Sequence, residues 1–251
     1  MQWDAGELSD FYQSAVGRAA RSLIARSIKD IWPDLRGLRV LGYGFAPPYL
    51  QPCQNDAERV VALMPAPMGV IAWPPERPLS ALGDEDCLPF ADALFDRILV
   101  VHGLEGADAA RVLLRQLWRV LAPEGRMLLV VPNRASLWAQ MESSPFALGR
   151  PFHRGELGTL LTDTLFEPLR WEKALYMPPF SGWRLASLGE GLERVGRHIW
   201  PGLHGVHLVE AAKSLYGRAA IKPAGSKVRL RAAATLHGYR LNNVDGPEQS
   251  K

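Results

Sequence analysis

Apolar residues at Leu8, Phe11, Tyr12, Ala15, Leu23, Ile24, Ile28 and Ile31 recur at helical spacing, with Asp10, Arg18, Arg21 and Lys29 between them. The pattern predicts an amphipathic helix over 8–31, which Pro33 ends. A strand follows at 38–41, then the turn Gly42-Tyr43-Gly44 and a short helix over about 49–57. The run 59–64 reads as a buried strand stopped by Pro65, and 69–73 as a third, bounded by Pro74-Pro75. A strand over 96–101, an amphipathic helix over 107–121, the exit turn Ala122-Pro123-Glu124-Gly125 and a strand over 126–131 complete a regular alternation. Strand alternating with helix is the pattern of an α/β fold with a mostly parallel sheet covered on both faces. After Pro132 the order changes: a loop rich in Ser, Pro and Gly, a helix over 154–165, an extended run over 168–177, a helix over 184–199 and a strand at Val206–Lys213. The two late strands are candidates for an antiparallel edge.

Composition narrows the class. With 251 residues, 47% hydrophobic and 22% charged, the chain has material for a large core and is not of disordered type. A net charge of +3 is too mild to argue for nucleic acid. Cys53 and Cys87 have no metal-type spacing and read as reduced thiols. The acidic N-terminus resembles no signal segment, and no apolar run is long enough to span a bilayer, so the expectation is a cytoplasmic protein. The domain is expected to cover 1–216. Residues 217–251, with Arg218, Lys222, Lys227, Arg229, Arg231 and Arg240 and little periodicity, are expected to be a flexible basic tail, the one segment through which nucleic acid would bind.

Three blocks together resemble the class I S-adenosylmethionine-dependent methyltransferases, of the methyltransferase type 11-like kind. They are Asp84-Glu85-Asp86-Cys87-Leu88-Pro89-Phe90 with its following Phe95-Asp96 pair, His102-Gly103-Leu104-Glu105, and Arg119 to Arg126. With the segment 150–166 they cover roughly residues 38–175. The resemblance implies a Rossmann-like seven-stranded, mostly parallel sheet with helices on both faces and an antiparallel edge strand. It implies S-adenosylmethionine as cofactor, held by Gly42, Gly44, Met64, Asp84, Glu85 and His102. Gly42 and Gly44 match the first two glycines of the family's turn, and Ala46 stands at the third, followed by Pro47-Pro48. The acid expected two residues before the first glycine is Val40, and the ribose-binding acid at the end of the second strand is Met64; both acidic contacts are absent. Asp84 and Glu85 match the adenine-contacting position.

His102, just beyond a strand end, is the candidate catalytic residue: an imidazole there orients a substrate or accepts a proton near neutral pH. Glu105 reads as structural or near the cofactor rim. Asn133, Arg150 and His153 are substrate-side candidates, Arg134 with them; Trp171, Tyr176, Phe180 and Trp183 read as core. His198, His204 and His207 lack a carboxylate or thiol at ligand spacing, so no metal is expected. Two readings stand: a methyltransferase acting on an unidentified acceptor, and a catalytically silent methyltransferase-fold protein serving as an interaction or regulatory module. Oligomeric state is not encoded in any motif. Met64→Asp separates two placements. Beside a ribose the new carboxylate tightens the cofactor by about 1–2 kcal/mol; in a core it destabilises the protein by several kcal/mol.

Overall fold

The structure is a computed structural model that describes residues 4–179 and 202–214, with the isolated positions 191, 193, 196 and 199. The expected tail 217–251 and most of the helix expected over 184–199 lie outside these residues.

The expected N-terminal helix is two helices, α1 (Ala5–Gln13) and α2 (Ala15–Ile31). Asp4 and Glu7 form a capping box at the start of α1. Ser14 is extended, ends α1, and accepts a hydrogen bond from the Gly17 amide at 3.0 Å, so it caps α2. The corner depends on Gly17: a Cβ there would lie 1.9 Å from the Phe11 carbonyl oxygen. Periodicity alone does not reveal this break, because Leu8, Tyr12, Leu23 and Ile24 are buried on both sides of it.

Seven strands form one sheet: β1 (Arg39–Gly44), β2 (Arg59–Pro65), β3 (Ser80–Gly83), β4 (Phe95–Val101), β5 (Leu121–Pro132), β6 (Phe166–Ala174) and β7 (Val206–Lys213). Their order is β3-β2-β1-β4-β5-β7-β6. The first five are parallel, and β7 runs antiparallel to both β5 and β6. The seven-stranded, mostly parallel sheet with an antiparallel edge is the one the sequence led us to expect. Side chains divide between its faces. Val40, Met64, Val101 and Val130 pack towards α1 and α2, whereas Leu41, Leu63, Val100 and Leu129 pack towards α4 (Ala110–Val120) and α5 (Arg154–Asp163).

Three local expectations are corrected. Residues 69–73 are not a strand: Gly69 takes a left-handed φ of 76°, Val70 is 46% exposed, and Ser80 Oγ ties the segment back by donating to the Ile71 carbonyl at 2.6 Å. The third strand is Ser80–Gly83, which pairs with Ala62–Pro65. The helix after β1 is a single turn, α3 (Pro47–Leu50), continued by a 3-10 turn at Gln51–Cys53. The exit turn after α4 is extended and belongs to β5.

Polar clamps fix the order. Arg39 holds both oxygens of Asp96 at 3.0 Å, and its backbone amide donates to the same carboxylate at 2.9 Å, locking β1 to β4 at their amino ends. Arg119 of α4 donates to the carbonyls of Leu88 and Phe90, both at 2.8 Å, and to Asp92 at 2.7 Å. The Leu-Pro-Phe block and the Arg119 block are therefore one device: a guanidinium that supplies the donors its loop lacks. Among the described residues, no helix is long and apolar enough to cross a membrane.

Two measurements check this account. The Arg39 guanidinium holds the Asp96 carboxyl below its ordinary range, so its stabilisation is present above the unfolded carboxylate value, about 3.9, and is lost as pH falls through the lower folded value. Asp96→Asn is expected to flatten the acid limb of a melting-temperature profile and leave its neutral slope unchanged. The sheet is complete at Lys213, and the Ser214 amide closes it on the Leu165 carbonyl at 2.9 Å. Removing residues 218–251 is expected to leave the melting temperature within about 2 °C, a shift below that of a 1 kcal/mol change in a domain of this size.

Candidate functional site

The sheet order reverses between β1 and β4, because β2 and β3 lie on one side of β1 and β4 to β6 on the other. Open α/β sheets bind ligands in the crevice that such a reversal leaves beyond the carboxyl ends of the strands. Here β1 ends at Gly44, whose φ is 79° and whose missing Cβ would lie 2.2 Å from the Val101 carbonyl oxygen. β4 ends at Val101, and the next residue, His102, has a φ of 50°. A left-handed conformation at a non-glycine residue is strained and is held only by its surroundings.

Those surroundings are a buried polar chain. Tyr49 of α3 donates its hydroxyl to Tyr12 of α1 at 3.0 Å, and the Tyr12 hydroxyl lies 2.8 Å from His102 Nε2. With the Tyr12 oxygen accepting from Tyr49, its own proton points to Nε2, which leaves Nδ1 protonated and facing Glu105. That second contact is 3.2 Å from Nδ1 to Oε1. It has ion-pair distance without hydrogen-bond alignment, and no described donor is aligned with either Glu105 oxygen. His102 and Glu105 are each 6% exposed. Burial pushes the Tyr12 and Tyr49 phenols well above their ordinary pKa, so both hydroxyls stay protonated.

Aromatic rings fill the remaining space. Tyr12 stacks on Phe45 with centroids 5.8 Å apart and 9° between planes, and Phe146 lies 4.9 Å from the His102 ring. Trp138 packs edge-on to Phe146 and donates to the Met177 carbonyl at 2.7 Å. Gly149, with a φ of 75°, passes so close that a Cβ would lie 2.2 Å from the Glu105 carbonyl oxygen.

The expected site residues divide. Gly42, Gly44 and His102 converge on the crevice. The space beside Gly42 is taken by Leu50 and Ala46, so that glycine serves internal packing in this arrangement. Met64 lies one residue before the end of β2, but its side chain is fully buried in the hydrophobic cluster on the α1–α2 face. Val40 sits in that cluster too, at the amino-terminal half of β1. Asp84 is exposed, and its backbone bridges Cys87. Glu85 accepts from the Ala109 amide at 2.8 Å and so caps the start of α4. Asn133 secures a loop: its amide nitrogen donates to the Gly202 and His204 carbonyls at 3.1 and 2.9 Å. Arg150 is exposed, and its backbone amide donates to the Glu105 carbonyl at 2.7 Å; His153 is the exposed N-cap of α5. Sequence reasoning missed Tyr12, Phe45, Tyr49, Trp138 and Phe146. The i, i+4 pair Leu8 and Tyr12 read as an ordinary core face, and nothing local says that this face covers a crevice.

A nucleoside-sized ligand has no room here. The cavity between Leu8, Met68, His102, Glu105, Pro145 and Gly149 holds about 30 Å³, and a shallow recess at Tyr12, Phe45, Pro47 and Trp73 about 170 Å³; ligand sites usually measure about 300–1,000 Å³. A wider groove of about 670 Å³ runs between α4 and α5, past Leu104, Ala109, Arg111, Arg150 and Glu156. In the arrangement described, the space directly beneath Leu8 and Tyr12 is smaller than such sites usually are. Among the described residues no group of three or more His, Cys, Asp or Glu side chains is gathered as a metal site.

Comparison with known proteins defines the class. The methyltransferase domain family matches residues 38–129. No curated protein matches the chain. Among solved structures, a Thermotoga maritima S-adenosylmethionine-dependent methyltransferase, described as a possible histamine N-methyltransferase, is 19% identical, with a TM-score of 0.57 over 83% of this chain and 96% of that one. An Archaeoglobus fulgidus S-adenosylmethionine-dependent methyltransferase is 18% identical, with a TM-score of 0.53 over 77% and 94%. The 1,6-didemethyltoxoflavin-N1-methyltransferase of Burkholderia thailandensis, solved with bound 1,6-didemethyltoxoflavin and S-adenosylhomocysteine, is 18% identical, with a TM-score of 0.50 over 80% and 79%. At these identities the likeness is one of fold. The fold is that of the class I methyltransferases. Over residues 38–129 the chain carries the sequence pattern of the methyltransferase domain family.

Met64→Asp tests the placement of the end of β2. With the side chain enclosed by apolar neighbours, the substitution is expected to lower stability by several kcal/mol and to leave cofactor affinity no tighter. Denaturant unfolding and calorimetric titration of one variant check both.

Proposed function

We propose that the chain binds S-adenosylmethionine at the crevice beyond β1 and β4 and transfers its methyl group to an acceptor that meets the His102–Glu105 pair. The observation that carries this reading is the pair itself. A strained histidine and a buried carboxylate without an aligned donor destabilise a resting fold, and they stand together at the switch point where α/β sheets bind ligands. The family match over 38–129 supports the same reading. In it Gly42 and Gly44 approach the cofactor, Asp84 and Glu85 stand towards its adenine end, and Asn133, Arg150 and His153 lie on the acceptor side.

A second reading, a silent methyltransferase-fold module, is favoured by the Tyr12–Phe45 stack that occupies the crevice and by the apolar Met64 where the ribose acid would stand.

Binding in the first reading requires that Leu8 and Tyr12 leave their buried positions. Side chains of this size each contribute about 1.5–3 kcal/mol of burial, so opening lowers apparent affinity by roughly two to four powers of ten. Calorimetric titration of the full chain with S-adenosylhomocysteine is expected to give a dissociation constant in the micromolar range or weaker. Nanomolar binding contradicts the closed crevice, and absence of binding at millimolar ligand favours the silent module.

A further inference from the structure

α1 lies over the crevice as a separate piece of structure. It has nine residues, too few to be stable as an isolated helix, so packing holds it in place. Its buried stripe is narrow: Ala5, Leu8 and Tyr12 face inward, while Gly6, Glu7, Asp10 and Gln13 are exposed. Beyond Tyr12 the chain turns through the extended Ser14, and α2 begins independently with its own cap. α1 can therefore swing about Ser14 without breaking a hydrogen bond inside α2 or the sheet.

What α1 covers differs from an ordinary core. Leu8 closes one side of the small cavity onto which Glu105 and His102 face. Tyr12 places a ring against Phe45 and a hydroxyl on His102 Nε2. Under this cover remain the left-handed backbone of His102 and a carboxylate whose two oxygens have no aligned donor. A permanent wall gains nothing from such groups. A removable one exchanges Tyr12 for a ligand that brings a ring to Phe45 and donors to the pair beneath.

From these contacts we infer that α1 is a displaceable autoinhibitory cover, latched by the Tyr12 hydroxyl on His102, and that cofactor and α1 compete for one crevice. The inference rests on the reading of that crevice as the cofactor site. It accounts for the small space left beyond β1 and β4: the crevice is occupied by the chain's own N-terminal helix. The latch is the hydroxyl, and the hinge is the Ser14–Gly17 corner, where a methyl group at Gly17 collides with the Phe11 carbonyl and drives α1 from its seat.

S-adenosylhomocysteine, the full-length chain, Tyr12→Phe and Gly17→Ala provide the test. Tyr12→Phe removes the hydroxyl and keeps the ring; Gly17→Ala disturbs the corner and changes the identity of no crevice side chain. Calorimetry is expected to show each variant binding the ligand at least tenfold tighter than the parent chain. Hydrogen–deuterium exchange of the parent chain is expected to show, on addition of the ligand, faster exchange of the 5–13 amides and slower exchange around 42–45 and 101–105. Equal affinities with α1 amides unchanged or slowed by ligand overturn the cover and leave the cofactor reading standing, with α1 as a fixed wall. If no protein of the set binds at millimolar ligand, the cofactor reading fails and the cover with it. The exchange measurement needs only the parent chain, so misfolding of either variant does not remove the test.

Discussion

The Phe45 amide donates to the Val101 carbonyl at 2.7 Å, and the geometry of the crevice follows from that one bond. It draws the end of β1 against the end of β4 so closely that only glycine is tolerated at position 44. The chain must then leave β1 sharply, which throws Phe45 outward and begins α3 at Pro47. On the β4 side the same crowding puts His102 into a left-handed conformation, with Gly103 passing directly against the Tyr43 ring. An aromatic platform and an imidazole are thus presented side by side by backbone constraint alone, before any ligand is considered.

In the proposed reading, what occupies the space above them is decided by competition. Tyr12 offers a ring and a hydroxyl tethered to the same chain, which requires no ligand and loses little freedom because α1 is already anchored at Ser14. A free cofactor surrenders translational and rotational freedom on binding. It has one advantage the helix lacks, the capacity to supply donors to Glu105. In this reading, whether such a fold rests open or closed turns on a few side chains outside its sheet.

The sequence disclosed the sheet well and the crevice poorly, for a physical reason. β1, β2, β4, β5 and β7 are buried runs bounded by prolines, glycines or charges, a local signal that survives folding. β3 was misplaced because Ser80–Gly83 is a short, partly exposed edge strand, while the more apolar 69–73 is held in a loop by Ser80 and a left-handed Gly69. The break at Ser14 escaped notice because both helices bury one face and the hydrophobic period runs through. At the site, Gly44 and His102 were legible from their position after strands. Glu85 was legible only as an acid in a loop, and its use as a helix cap depends on Ala109, 24 residues away. The roles of Tyr12 and Phe146 are contacts at long range, and no local pattern encodes them.

β7 runs against its neighbours, and this has a consequence for how such a domain can diversify. Val206 pairs with Pro132 and Ala174, at the end of the sheet where the crevice opens, and Lys213 lies at the far end beside Phe166. The excursion between β6 and β7 therefore departs from and returns to the crevice rim, its two stems clasped by the Gly205 amide on the Leu175 carbonyl at 2.8 Å. Its stems are held by pairing of β6 and β7 with their neighbours, independently of its length. The topology thus lets the length and side chains of one connection set what reaches the crevice mouth, while the strand pairing beneath it is fixed elsewhere.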